Sequence, residues 1–73
     1  MIEPHQIDLN LLAVFQEVYR ERQISSAARR LGLSQSAVSN ALARLRKLFG
    51  DELFVRTGQG MQPTPLAASL SEP

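Results

Sequence analysis

Gln35, Ser36, Ser39 and Asn40 fall within one six-residue stretch, and each side chain both donates and accepts hydrogen bonds. On a helix they would form a short edge of amides and hydroxyls. Such an edge matches the exposed base edges of a DNA major groove, where Gln and Asn can pair bidentately with adenine. The bland alternative is a solvated polar face, although such faces are more usually rich in Glu and Lys. Ser34 directly precedes the stretch. Ser25 and Ser26 stand where another helix would begin, and helix N-termini attract phosphate; Ser25 could equally be a cap and nothing more. Arg44 shares a helical face with Asn40 and Lys47, which suits a phosphate contact that fixes register. Compensation of the helix dipole is the simpler reading of that basic end. Arg46 lies nearer the core side. Arg56 sits where an arginine could enter a narrow minor groove, or be an ordinary exposed strand charge.

Other chemistries lack their residues. The chain has no cysteine, so disulfides, thiolate metal sites and cysteine nucleophiles are absent together. Its single histidine, His5, is near the N-terminus, which leaves no imidazole-based triad and no multi-histidine metal site. Asp51 and Glu52 are adjacent carboxylates without a third acid or a histidine nearby in sequence. Gly58-Gln59-Gly60 is too short for a phosphate-cradling loop. The expectation is binding rather than catalysis, with no cofactor in this stretch. No apolar run approaches the ~20 residues of a membrane span. The opening MIEPHQID carries two acids and no basic residue, unlike a secretory leader. A cytoplasmic location without membrane contact is expected.

The size permits one small domain: 73 residues, 44% hydrophobic and 21% charged. The net charge of +1 conceals its distribution. From Arg22 to Gly50 there are six basic residues and no acid, while all seven acids lie outside that segment. A fold that clusters the middle would present a positive surface.

The elements that must position these groups follow from periodicity. Residues 1–7 read as a tail. Asp8 suits an N-cap, and Leu9, Leu12, Phe15 and Tyr19, flanked by Leu11 and Val18, mark the inner face of a first helix. Ser25 reads as the cap of a second helix, Ser26 to Leu31, and Gly32 as its left-handed end. Ser34 caps a third helix whose inner residues are Val38, Leu42, Leu45 and Phe49, and which Gly50 ends. Leu53 to Arg56 is strand-prone, Thr57 to Gly60 a turn, and Met61-Gln62 a return strand. Thr64-Pro65 is an N-cap followed by a first-turn proline, opening a fourth helix that reads as truncated from a longer protein.

Two short helices about a glycine turn form a helix-turn-helix. The close crossing needs a small residue, found at Ala28; the turn needs Gly32; the angle needs a branched apolar side chain, found at Val38. Ala27, Leu31, Leu33 and Ala41 complete the pattern. An αα-hairpin within a bundle is the competing arrangement.

On these residues the chain resembles the N-terminal DNA-binding domain of LysR-type transcriptional regulators. The most specific segments are AARRLGLSQSAVS and LFVR…PTPLA, and the likeness spans Asp8 to Ala67, about four-fifths of the chain. DLNLL and SNALARLR are similar to a branch that includes regulators answering small aromatic inducers. The resemblance implies a mainly α winged helix-turn-helix: a domain over 8–63, with the helix-turn-helix at 24–43 and a β-hairpin wing at 53–62. It implies that 64–73 begins a linker helix through which two copies pair, with a tetramer open to the full-length protein. Recognition positions carry over to Ser34, Gln35, Ser36, Ser39 and Asn40, and the wing arginine to Arg56. The family often has proline where this chain has Ser36, so a hydroxyl replaces a rigid apolar contact there. A small-molecule inducer would act only through a regulatory domain outside this stretch. The expected partner is double-stranded DNA with a pseudo-palindromic site. A winged-helix module that binds protein instead remains the alternative.

Overall fold

The computed structural model describes residues 9–71, so the expected tail 1–7, His5 and the Asp8 cap lie outside the described residues. Helix α1 spans Leu9–Glu21, α2 Ile24–Leu31 and α3 Gln35–Phe49. Strands β1 (Phe54–Thr57) and β2 (Gly60–Pro63) form an antiparallel hairpin, and α4 spans Pro65–Ser71. This is a three-helix core with a two-stranded wing and a short fourth helix, as the sequence pattern predicts.

The inner stripe of α1 differs from the predicted one. Leu11, Val14, Phe15 and Val18 are buried, at the i, i+3, i+4, i+7 spacing of a helix face, while Leu12 is 44% exposed. Against this stripe pack Ala27 and Ala28 of α2 and Val38, Leu42 and Leu45 of α3. The hairpin contributes Phe54 and Met61, and α4 contributes Ala67. Phe54 is fully buried, with its ring centroid 5.5 Å from that of Phe15 and 6.4 Å from that of Tyr19. Burial of such a side chain is worth about 1.5–3 kcal/mol, so one aromatic residue anchors the wing to α1. Leu33, which completes the apolar pattern of the corner, is 43% exposed, because the turn carries it outward.

The angle between α2 and α3 is fixed at Gly32, where φ is +69°. The Gly32 and Leu33 amides donate to the Arg29 and Ala28 carbonyls, which closes α2 and redirects the chain. Ser34 then caps α3, its Oγ accepting the Ala37 N–H at 3.0 Å. The predicted Ser25 cap is not observed. Helix α2 begins at Ile24, its N-cap position is Gln23, and no side chain caps it. Ser25 and Ser26 are therefore in the first turn, ahead of the Ala27 N–H that donates to the Gln23 carbonyl.

The hairpin is displaced by one residue from the predicted 53–62, and its turn is tighter than the predicted 57–60. Its strands run 54–57 and 60–63, leaving Gly58-Gln59 as a two-residue turn. Leu53, predicted as strand, takes a left-handed backbone (φ 64°) immediately before β1 while its side chain is fully buried. A carboxylate holds it there: Leu53 N–H donates to Asp51 Oδ2 at 2.8 Å. The same Oδ2 accepts the Thr64 hydroxyl, and Thr64 Oγ1 accepts the Ala67 N–H at the start of α4. The Asp51 carboxylate is thus a structural hub between the end of α3 and the start of α4.

Candidate nucleic-acid interface

Helix α3 presents the predicted polar edge to solvent. Gln35, Ser36, Ser39 and Asn40 are all exposed, as is the capping Ser34, while Val38 and Leu42 beneath them are buried. Ser34 and Ser36 hydroxyls lie 3.3 Å apart, so the cap and the first-turn serine are linked. No acidic residue occurs anywhere from Arg22 to Gly50, so no carboxylate on α2 or α3 interrupts this surface.

The exposed edge divides into two sides. Gln35 and Ser39, four residues apart, line a cleft of about 340 Å³ between α3, the start of α2 and the wing. Ser25 and Arg56 line the same cleft. Four of the predicted residues, from three elements, therefore meet. Ser36, Asn40 and Arg44, again at four-residue spacing, form the other side of α3. There Arg44 and Lys47 are exposed. Ser26 and Ser34 do not line the cleft; Ser26 is half-buried in the first turn of α2.

The hairpin register explains why Arg56 reaches the cleft. Arg56 pairs with Met61, and directly paired residues in an antiparallel ladder project from the same face. That face also carries Phe54, so Phe54 and Met61 fill the core while Arg56, one step further out, is exposed beside Ser39. Val55 and Thr57 project from the opposite face.

Arg46 is different in kind. Its Nε donates to the Glu52 carbonyl at 2.8 Å and its Nη2 to the Phe54 carbonyl at 3.2 Å. It fastens the base of the wing to α3. Sequence inspection missed three cleft residues that supply backbone or side-chain polarity: Arg22, Gln23 and Thr57. Arg22 begins the acid-free basic segment, and that signal could have found it. For Gln23 the signal was obscured by the misplaced cap.

The surface is suited to binding an extended polyanion with exposed hydrogen-bonding edges. Among the described residues there is no group of three or more His, Asp or Glu able to hold a metal ion. No helix among them is long and apolar enough to cross a membrane.

Comparison with known proteins agrees with this geometry. Residues 9–68 match the family model described as bacterial regulatory helix-turn-helix protein, lysR family. The chain is 57% identical over 72 residues to the HTH-type transcriptional activator NahR of Pseudomonas putida, covering 99% of this chain and 24% of that protein. Its fold superposes on the crystal structure of probable transcriptional regulator PA0477 from Pseudomonas aeruginosa with a TM-score of 0.86 and 52% identity, covering 90% of this chain and 22% of that one. It also matches the BenM_DBD/catB site 1 DNA complex, with a TM-score of 0.81 and 25% identity over 86% of this chain and 71% of that one. The chain spans about a quarter of the length of the curated relatives it matches. With its three-helix core, wing and polar third helix, the chain belongs to the lysR family of bacterial regulatory helix-turn-helix proteins and is a winged helix-turn-helix DNA-binding domain of that family.

Proposed function

We propose that this domain reads double-stranded DNA by sequence, with α3 in the major groove and the wing at the adjacent minor groove, as part of a bacterial transcriptional regulator. One observation carries the reading: four neighbouring amide and hydroxyl side chains are exposed on a helix whose tilt is set by the Gly32 corner, within a segment free of acids. Gln35, Ser36, Ser39 and Asn40 contact base edges. Ser34 and the first turn of α2, with Ser25 and Ser26, meet phosphates, and Arg44 adds a charge-assisted phosphate contact. Arg56 enters the minor groove from the cleft side of the wing.

Two copies pair through α4 and its continuation, and they occupy a pseudo-palindromic site whose halves are spaced by about one helical turn or a multiple of it. An apolar groove of about 490 Å³ supports a pairing surface on that side. Leu12 and Leu70, both more than 40% exposed, line it together with Phe15, Tyr19 and Phe49. The chemistry is binding in the bacterial cytoplasm, without catalysis. Titration with mixed-sequence duplex at rising salt tests the reading: affinity should fall log-linearly with salt. Salt-independent or absent binding would instead favour a protein-binding winged helix.

A further inference from the structure

Besides the Phe54 and Arg46 contacts, a backbone hydrogen bond joins the wing to the end of α1. Arg22 ends α1 in a left-handed conformation (φ 61°), and its N–H donates to the Val18 carbonyl at 2.8 Å. Its own side chain locks that turn: Nε donates to the Tyr19 carbonyl at 2.6 Å, and the guanidinium lies 4.8 Å from the Tyr19 ring centroid. The turn aims the Arg22 carbonyl at the wing, where it accepts the Met61 N–H at 2.7 Å. The neighbouring Gly60 has φ 117°, a conformation left to glycine. A Cβ at Gly60 would stand 2.5 Å from the Arg22 carbonyl oxygen, and that oxygen belongs to backbone. β2 therefore approaches Arg22 as closely as it does only because residue 60 lacks a side chain.

This junction bears on Arg56 directly, since Met61 is its partner in the ladder and both project from one face. We infer that Gly60 and Arg22 are positioning residues for the wing arginine, setting its distance from α3 and hence its engagement with DNA. The inference rests on the reading that Arg56 contacts DNA.

The test is a double-mutant cycle on the whole chain, titrated with a mixed-sequence duplex across a salt series. Arg56→Ala should weaken binding about tenfold and lower the salt slope by about 0.9, the loss of one protein cation that displaces a counterion from the DNA. Gly60→Ala should do nearly the same although no charge is removed. In the Arg56→Ala background it should add less than about twofold. Amide exchange at Met61 should accelerate in Gly60→Ala while Leu42 and Leu45 stay protected. Arg22→Gly keeps the left-handed backbone and the carbonyl but frees them from Tyr19. It should give a smaller loss, again absent without Arg56, and it serves if Gly60→Ala does not fold. Losses from Gly60→Ala or Arg22→Gly that persist in full without Arg56, or an unchanged salt slope in Gly60→Ala, overturn the inference alone. Arg56→Ala binding like the parent overturns the wing reading and the inference with it.

Discussion

The Thr64 hydroxyl donates to Asp51 Oδ2 at 2.7 Å, across thirteen residues of chain. Because the same oxygen also accepts the Leu53 amide, one carboxylate restrains a left-handed residue and orients the cap of α4. Asp51→Ala should destabilise the domain by about 1–3 kcal/mol, since both donors lose a charged acceptor. Thr64→Ala should cost about 1 kcal/mol through the lost cap. The double variant should lose less than the sum, because the two share a bond. Urea unfolding with an unchanged m-value checks all three.

The helix-turn-helix corner rests on backbone conformation rather than on space. A Cβ at Gly32 would face open space beyond the adjoining backbone, yet φ there is +69°. Gly32→Ala should therefore cost about 1–2 kcal/mol through strain alone. Gly32→Asn should cost less, since Asn tolerates the left-handed region. Equal losses in thermal or urea unfolding would contradict this account.

Arg46 bridges the Glu52 and Phe54 carbonyls from α3. Lysine offers a point charge in place of a planar fork, so Arg46→Lys should lose roughly 1–2 kcal/mol of stability. Discrimination among DNA sites should stay as in the parent. A selective loss at one site would mean that Arg46 reads DNA.

The two sides of α3 should separate in binding. Gln35→Ala should reduce discrimination between matched and mismatched sites by ~1–3 kcal/mol. Arg44→Ala should weaken all duplexes alike and lower the salt slope by about 0.9. Parallel titrations of one matched and several mismatched duplexes check both.

Much of this was legible in the sequence because local rules sufficed. Gly32, Ser34 and Gly50 punctuate α2 and α3 through chemistry carried by single residues, and the structure uses each as its type predicts. The stripe of α1 was misread because adjacent apolar pairs, Leu11-Leu12 and Val14-Phe15, allow two helical faces. Only packing against α2 and α3 selects Leu11 and Val14 and leaves Leu12 outside. The cap of α2 was misplaced since Ser25 is a good cap by type, but the left-handed turn at Arg22 starts the helix one residue before Ser25. The cleft that unites Ser25, Gln35, Ser39 and Arg56 depends on the hairpin docking at Arg22, a long-range contact with no local signature.

Selection of bound duplexes from a random pool tests the central claim most directly, namely that the exposed amide-and-hydroxyl edge of α3 reads bases. The account predicts one enriched motif whose recognised positions change when Gln35 or Asn40 becomes alanine. A pool that stays random, or a motif indifferent to both substitutions, would contradict it.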